Sequence, residues 1–252
     1  MSAAERTVLL AGYGWFAGIP QGETNNAELI ARALDGALCE GDGVRGRVHA
    51  LVVPVTWAGA FPPVEAAIDA LEPDIVLALG TDARAGAMRP EPYGVNWQRG
   101  RDADPDDPSR ETVMDGPVTP GGPDALRGTL PYEAMVRAML DAGIPARLGA
   151  LTEAGEGAPL PVGCTAGMYL CNTMAYHLAE RAARTGLRAG FMHVPTQPGY
   201  AAARRLREME AADGAERARL MQEPLPPSMP LAQMLAGTRA AIGACLNALK
   251  ES

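Results

Sequence analysis

Positive charge is scarce in this sequence, which has 22 Lys and Arg residues against 30 Asp and Glu residues and a formal net charge of −8. Nucleic acids and anionic membrane surfaces are bound mainly through basic patches, so this composition argues against both. Long apolar runs are also absent, since no stretch approaches the roughly 18 apolar residues that a membrane-spanning helix needs. We therefore expect neither a nucleic-acid partner nor a membrane partner.

Cysteine is rare as well, with 4 residues in a chain of 252. Neither a Cys-x-x-Cys pair nor a His-rich segment suggests zinc, so we expect no metal site. Residues 1–6 lack the apolar region of a signal peptide, and we expect a cytoplasmic protein whose thiols stay reduced. The four cysteines are Cys39, Cys164, Cys171 and Cys245.

The order of apolar segments predicts an α/β fold. Apolar runs typical of strands lie at 7–11, 48–55, 73–80 and 190–195. Helical patterns lie at 27–38, 63–71, 130–140 and 201–222, and a last helix opens at 227–231 and ends near 249. This alternation favours a three-layer α/β/α sandwich with a mostly parallel, mixed sheet. With 47% hydrophobic residues, residues 1–252 fit a single domain.

Two segments rich in Gly and Pro predict irregular structure. Residues 99–123 should be mostly loop. Residues 148–163 predict an inserted flexible loop just before the segment around Cys171. This insertion is either a lid over a site or a neutral part of the surface.

Residues 12–17, Gly-Tyr-Gly-Trp-Phe-Ala, formally match the Gly-x-Gly-x-x-Ala pattern of dinucleotide-binding sites. In such sites a helix begins directly after the glycines and holds the pyrophosphate at its N-terminus. Here Pro20 and Gly22 keep the chain in a loop, and the helical pattern begins only at Ala27. The second strand also ends without an acid for a ribose hydroxyl. The pattern therefore does not indicate a dinucleotide site.

Residues 165–172 predict the start of a helix with Thr165 as its N-cap. Cys171 would lie in the first or second turn, where free backbone N–H groups and the helix dipole favour a thiolate. His193 ends an apolar strand, and open α/β sheets form their sites at the carboxyl ends of strands. Core packing is the alternative for both residues, because free cysteines are usually buried. Cys171 also shares a helical stripe with Met174, Ala175 and Leu178.

Two segments resemble the pyroglutamyl peptidase I family of cysteine peptidases, also called pyrrolidone carboxyl peptidases. Residues 166–172, Ala-Gly-Met-Tyr-Leu-Cys-Asn, are similar to the segment that carries the family's nucleophile. Residues 190–195, Gly-Phe-Met-His-Val-Pro, are similar to the segment that carries its base. Glu91 has the spacing from Gly80 that the family uses for its catalytic glutamate. The resemblance continues, in order, along nearly the whole chain.

This resemblance implies a hydrolase that removes an N-terminal pyroglutamyl (5-oxoproline) residue from peptides. Cys171 would attack the carbonyl, His193 would activate the thiol, and Glu91 would hold the imidazole. Arg101 matches a loop arginine that would help backbone N–H groups to stabilise the oxyanion. The resemblance implies no cofactor and no metal. It also implies a small peptide or amide as substrate and a homo-oligomer, a tetramer in the family.

The substrate-binding positions implied by the resemblance include several departures from the family pattern. Tyr13 and Phe16 keep two aromatic positions, and Asn25 keeps an asparagine. The family's Gly-Gln-x-x-Gly-Arg segment corresponds to residues 80–85, so that Thr81 and Ala85 differ from it, and the Glu-Arg pair is here Glu91-Pro92. Asp102 stands where the family has an apolar residue.

These departures surround the substrate, whereas the three residues proposed for the chemistry are kept. The alternative function is therefore a diverged cysteine amidase that acts on another small cyclic or N-capped amide. An inactive binding protein with the same fold is a third interpretation. Replacing Cys171 would abolish the function of either enzyme, whereas a binding protein would keep its ligand.

Overall fold

A mixed β-sheet lies at the centre of the computed structural model, which describes residues 5–16, 24–103 and 111–249. The strands are β1 (Arg6–Tyr13), β2 (Leu38–Glu40), β3 (Arg45–Val53), β4 (Ile75–Thr81), β5 (Arg89–Glu91), β6 (Tyr93–Val95), β7 (Gln98–Ala103), β8 (Glu111–Gly116), β9 (Ala125–Arg127), β10 (Leu151–Glu153), β11 (Val162–Cys164) and β12 (Arg188–Val194). The helices are α1 (Asn26–Leu34), α2 (Pro62–Leu71), α3 (Tyr132–Asp141), α4 (Leu170–Thr185), α5 (Pro198–Ala211), α6 (Gly214–Gln222) and α7 (Leu231–Ala248). None of the helices in these ranges is long and apolar enough to cross a membrane.

The central sheet has the strand order β2-β3-β1-β4-β12-β5. Strands β3, β1, β4 and β12 run parallel, and Val8 in β1 pairs with Val48 in β3 and Ile75 in β4. The edge strands β2 and β5 run antiparallel to their neighbours. Parallel strands need cover on both faces, which explains why β4 is apolar and buried up to its last residue. The predicted mostly parallel, mixed sheet is confirmed.

Helices cover both faces of this sheet. On one face α1 packs so closely on β1 that a Cβ at Gly12 would lie 2.3 Å from the carbonyl oxygen of Ala27. Helix α7 contacts both α1 and α3, so these three helices form one layer. Gly12 pairs with Leu79 of β4, and the next residue, Gly80, faces the opposite side of the sheet because side chains alternate along a strand. A Cβ at Gly80 would meet Cys171, so α4 covers that opposite face. With α2 beside α4, the predicted three-layer sandwich is confirmed.

Two of the predicted helices are wrong in their extent. Helix α1 ends at Leu34, and residues 38–40 form β2 because antiparallel pairing with β3 satisfies their backbone groups. The predicted helix at 201–222 is divided into α5 and α6. The division lies at Asp213, whose extended backbone interrupts the helix and whose carboxylate caps α6 by accepting from the Glu216 N–H at 2.9 Å.

The two segments predicted to be loops both contain antiparallel strands. Gln98 of β7 pairs with Gly116 of β8, and Leu151 of β10 pairs with Cys164 of β11. The loop prediction is therefore wrong for these strands, because a neighbouring strand supplies hydrogen bonds that local composition does not reveal. The interpretation of residues 148–163 as an insertion stays a prediction.

Asn172 connects α4 to the segment that follows the edge of the sheet. Its side chain is fully buried. The amide oxygen accepts from the Val95 N–H at 2.8 Å, and the amide nitrogen donates to the carbonyls of Val95 at 2.9 Å and Trp97 at 2.8 Å. This one side chain therefore bonds to the backbone of residues 95–97 as a neighbouring strand would.

We expect Asn172→Ala to lower the free energy of unfolding by about 2–4 kcal/mol, because the buried Val95 N–H and the partly buried Trp97 carbonyl lose the Asn172 amide, whereas the Val95 carbonyl still accepts from the Trp97 N–H. Urea denaturation measures this loss. The control is Thr173→Ala at the next position, where the hydroxyl makes one long 3.5 Å bond to the carbonyl of the N-cap Tyr169 and the loss should be about 1 kcal/mol or less. Equal losses in the two variants would contradict the proposed role of Asn172.

Candidate active site

Cys171 is the second residue of α4. A tight turn precedes the helix, in which the Gly167 N–H donates to the Cys164 carbonyl at 3.0 Å. Gly167 has a φ of +79°, which residues with a Cβ rarely adopt. Tyr169 then takes extended backbone as the N-cap. Because the first N–H groups of a helix have no acceptor within it, unpaired donors lie at the thiol.

Thr165 is not the N-cap of this helix, so that prediction is wrong. The turn at Gly167 places Thr165 outside the helix, where its hydroxyl accepts from the Ala150 N–H at 2.9 Å. The same hydroxyl donates to the Glu91 carboxylate in a short hydrogen bond. Thr165 therefore supports Glu91 and leaves the helix start to Tyr169.

His193 lies at the carboxyl end of β12, next to the last residue of the strand, as the sequence predicts. Its imidazole is buried, and the Cys171 sulfur is close enough to be one of the groups that raise its pKa. The thiol reaches it across the end of β4 at Gly80, where a Cβ would lie 2.9 Å from the sulfur. Phe191 contacts the imidazole edge to face at 5.1 Å between ring centroids and limits its rotation.

Glu91 is the last residue of β5, the edge strand that pairs with β12. Its Oε1 lies 2.8 Å from Nδ1 of His193, and its Oε2 accepts from Thr165. The flanking Pro90 and Pro92 are compatible with this strand, because the edge of a sheet needs no N–H on its outer side. Both proline carbonyls still accept hydrogen bonds, Pro90 from Gly149 N–H at 2.8 Å and Pro92 from Gly128 N–H at 2.9 Å.

Burial and charge act in opposite directions on this pair. Burial alone would lower the pKa of His193, but the Cys171 sulfur and the Glu91 carboxylate favour the imidazolium and raise that pKa to about 9. Burial would likewise raise the pKa of Glu91, but hydrogen bonds from His193, Thr165 and Arg89 hold it below its ordinary value. Glu91 is therefore ionised beside a protonated His193 at neutral pH.

Arg89 is a site residue that the sequence interpretation missed. Its side chain is 7% exposed, its Nε donates to Glu91 Oε1 at 2.5 Å, and its Nη2 lies 3.3 Å from Nδ1 of His193. Nη2 also donates to the Asp82 carboxylate at 2.9 Å. A signal was available, because residues two apart in a strand share a face and Arg89 stands two before Glu91. The position where the family pattern has an arginine holds Ala85, which is buried.

A pocket of about 90 Å³ adjoins the thiol. The predicted residues Tyr13, Phe16, Asn25 and Thr81 all line it together with Cys171. The Tyr13 hydroxyl donates to the Leu170 carbonyl at 2.7 Å, which ties β1 to the start of α4. The pocket is also lined by Val55, Tyr169 and Leu170.

Asn25 is held by its own hydrogen bonds. Its amide nitrogen donates to the Gly14 carbonyl at 2.8 Å, and its amide oxygen accepts from the Ala27 N–H at 3.1 Å and from the Thr81 hydroxyl at 2.5 Å. The asparagine thus caps α1 and fixes the loop after β1. The Thr81 hydroxyl donates its only proton to Asn25, so toward the pocket its oxygen can act only as an acceptor.

Arg101 and Asp102 lie in β7, opposite Val113 and Thr112 of β8. The Arg101 side chain is exposed, and its carbonyl accepts from the Tyr169 hydroxyl at 2.8 Å. The Arg99 N–H donates to the Met168 carbonyl at 2.7 Å. The β7 strand therefore packs on the segment that leads into α4, and Arg101 is connected to the site through Tyr169.

The start of the segment predicted as an insertion forms the back of the site. A Cβ at Gly149 would lie 2.1 Å from Glu91 Oε2, so only glycine fits there. Ala150 bonds to the Thr165 hydroxyl through its N–H. These residues shield the Glu91 carboxylate from solvent, while residues 151–156 of the same segment are exposed.

Comparison with known proteins gives consistent results. Residues 6–248 match the profile of a family described as pyroglutamyl peptidase. A pyrrolidone-carboxylate peptidase of Escherichia fergusonii is 33% identical over 214 residues, which cover 84% of this chain and 89% of the relative. A mutant pyrrolidone carboxyl peptidase from the hyperthermophile Pyrococcus furiosus is 26% identical with a TM-score of 0.74, over 96% of this chain and 99% of the other. The pyrrolidone carboxyl peptidase of Thermococcus litoralis, at 24% identity, shares the fold with a TM-score of 0.76 over 98% and 96% of the two chains.

We expect iodoacetamide at neutral pH to alkylate Cys171 before the other three cysteines. Cys171 is partly exposed, whereas Cys39, Cys164 and Cys245 are buried. Burial also raises the pKa of the Cys164 thiol to about 11 and that of Cys245 to about 12, so their reactive thiolates are scarce. Peptide mapping after limited alkylation gives the order of labelling. Earlier labelling of any other cysteine would contradict the assignment of Cys171 as the reactive thiol.

Proposed function

This chain belongs to the pyroglutamyl peptidase family, and we propose that its cysteine-type hydrolysis of N-terminal pyroglutamyl peptides proceeds through Cys171, His193 and Glu91. The observation that carries this assignment is that the Cys171 thiol lies across Gly80 from the His193 imidazole, whose Nδ1 is 2.8 Å from the Glu91 carboxylate. A nucleophile, a base and a group that orients the base are the three parts that acyl transfer by a thiol requires.

In the acylation step, the Cys171 sulfur attacks the carbonyl carbon of the pyroglutamyl residue. A tetrahedral intermediate forms, and its collapse breaks the C–N bond to the next residue. The His193 imidazolium donates its Nε2 proton to the leaving amine, while Nδ1–H stays bonded to Glu91. The products of this step are the shortened peptide and a pyroglutamyl thioester on Cys171.

In the deacylation step, neutral His193 accepts a proton from water, and the resulting hydroxide attacks the thioester carbonyl. Breaking the C–S bond releases free pyroglutamic acid and restores the thiolate beside the imidazolium. Glu91 favours the protonated imidazole throughout, because its buried carboxylate lies at hydrogen-bond distance. No further reactant than water is needed.

Backbone N–H groups at the start of α4 serve as the oxyanion donors in this proposal. Cys171 is the second residue of the helix, so its own N–H has no helical acceptor. Donors at such a position face the negative charge that develops on the carbonyl oxygen. We assign Arg101, joined to this helix start through Tyr169, a supporting role in the same charge stabilisation.

The pocket beside Cys171 supports recognition of a small uncharged ring. Tyr13 and Phe16 supply flat apolar walls for the 5-oxoproline ring. The Thr81 oxygen is oriented as an acceptor and suits the lactam N–H, whereas Asn25 holds Thr81 and the loop in place. Asp102 lies one residue beyond Arg101 in β7, and we propose it as the residue through which this chain modifies the family's substrate preference.

Two further expectations follow from family membership. We propose that the enzyme assembles into a homo-tetramer and acts in the cytoplasm. A diverged amidase for another cyclic amide is not favoured, since the family match extends over residues 6–248.

We expect the wild-type protein to hydrolyse a pyroglutamyl fluorogenic amide and Cys171→Ser to lose at least about 10³-fold in kcat/KM, because a neutral hydroxyl replaces the nucleophile. His193→Ala should lose a similar factor, since it removes both the base and the acid. The control is Cys39→Ala, at a buried position in the edge strand β2, which should keep the activity. Retained hydrolysis in a folded Cys171→Ser protein would contradict the assignment.

A further inference from the structure

Arg89 lies between two carboxylates and extends the proposed triad by two residues. Its Nε donates to Glu91 at 2.5 Å and its Nη2 donates to Asp82 at 2.9 Å. Nη2 also donates to the Thr165 carbonyl at 3.3 Å. The Arg89 side chain is 7% exposed, Glu91 1% and Asp82 23%, so the pair with Glu91 is the more deeply buried of the two. The guanidinium is thus fixed on three sides.

The planar geometry of arginine explains why this residue type fits here. Nε and Nη2 are held at fixed positions on one rigid plane, so a guanidinium that bonds to Asp82 and Thr165 presents its Nε to Glu91 in one orientation. Charge-assisted bonds of this kind are short and directional. Arg89 therefore orients the Glu91 carboxylate, whose Oε1 it shares with His193 Nδ1.

The charge of Arg89 also opposes the charge that His193 must carry. Nη2 lies 3.3 Å from His193 Nδ1, and a like charge at that distance disfavours the imidazolium. Asp82 carries the compensating negative charge on the other side of Arg89. The charges alternate in sign along the series, since Asp82 is negative, Arg89 positive, Glu91 negative and His193 positive.

We propose that Arg89 and Asp82 are positioning residues of the peptidase site: Arg89 orients Glu91 toward His193, and Asp82 offsets the charge of Arg89 so that His193 keeps its proton. This inference rests on the proposed function of Cys171, His193 and Glu91. Burial alone would raise the pKa of Asp82, yet hydrogen bonds from Arg84 and Arg89 and the charge of His193 lower it, so Asp82 is ionised at neutral pH.

The titratable and charged groups that face His193 come from each element around it. Asp82 follows β4, and its N–H donates to the Val194 carbonyl of β12 at 2.9 Å. From β1, the Tyr13 hydroxyl is committed to the Leu170 carbonyl, and burial raises its pKa well above the ordinary value, so it stays neutral. Within the part of the chain that the structure describes, Cys171 from α4 and Arg89 and Glu91 from β5 also face His193.

Substitutions of the two positioning residues should shift the titration midpoint of His193 in opposite directions. In Asp82→Asn the Arg89 charge is no longer offset, so the midpoint should fall by about 0.5 unit or more. In Arg89→Gln a neighbouring cation is removed, so the midpoint should rise by about 0.5 unit or more. The double variant should lie between the two single variants, because the two charges act on each other. NMR of the imidazole measures the midpoint, and substituting His49 and His177, the other two of the 3 histidines, assigns the signal.

Kinetics on the same variants test the positioning role. In the pH profile of kcat/KM for a pyroglutamyl amide, the alkaline limb should move with the NMR midpoint of His193. It should move to lower pH in Asp82→Asn and to higher pH in Arg89→Gln. Arg89→Gln should also lower kcat more than about tenfold at neutral pH, because Glu91 loses one of its three donors. The control is Asp69→Asn, which removes a carboxylate from an ion pair with Arg181 on α2 and α4 and should leave the limb unchanged.

Asp82→Asn alone is sufficient to decide the inference, because its partly exposed side chain can be replaced without burying an unpaired charge. A folded Asp82→Asn protein with an unchanged or raised His193 midpoint would overturn the proposal. Lower thermal stability with no movement of the midpoint would show that the two residues are only structural. Because the NMR titration needs no turnover, a protein inactive on pyroglutamyl amides would contradict the proposed function and leave this test intact.

Discussion

The hydrogen bond between Glu91 and His193 is the interaction on which the site depends. It joins the edge strand β5 to β12 and sets the charge state of an imidazole that burial alone would keep neutral. A buried carboxylate without partners would itself be costly. Glu91 meets that cost through three donors, His193, Arg89 and Thr165, and the chain segments that supply them are thereby fixed relative to one another.

The rest of the fold brings a thiol to this pair. Gly80 is the residue before the last in β4, and the absence of a Cβ there lets Cys171 of α4 approach His193 across the strand. Asn172, the next residue, binds the backbone of residues 95–97 and so fixes the start of α4 against the segment after β5. The start of α4, the end of β12 and the edge strand β5 therefore meet at one point, and the pocket lined by Tyr13 and Phe16 lies beside it.

The sheet, its parallel core and the ends of β4 and β12 were predictable, because apolar runs and strand ends are local features of the sequence. Cys171 and His193 were proposed as a pair for the same reason, helped by motif resemblance. Arg89 and the true role of Thr165 were missed, because both contact Glu91 only once β5 has paired with β12, and the sequence does not show that pairing. The division of the helix at Asp213 and the β7–β8 hairpin were missed because local composition does not show tertiary pairing.

The most direct test of this account is Glu91→Gln, which keeps the shape of the side chain and removes its charge. The account predicts a folded enzyme whose kcat falls roughly 10-fold to 100-fold. It also predicts that the His193 titration midpoint, about 9 in the wild type, falls by about 1 unit or more. Glu133→Gln, which changes an exposed ion pair with Arg127, is the control. Near-normal kcat together with an unchanged midpoint in Glu91→Gln would contradict the account.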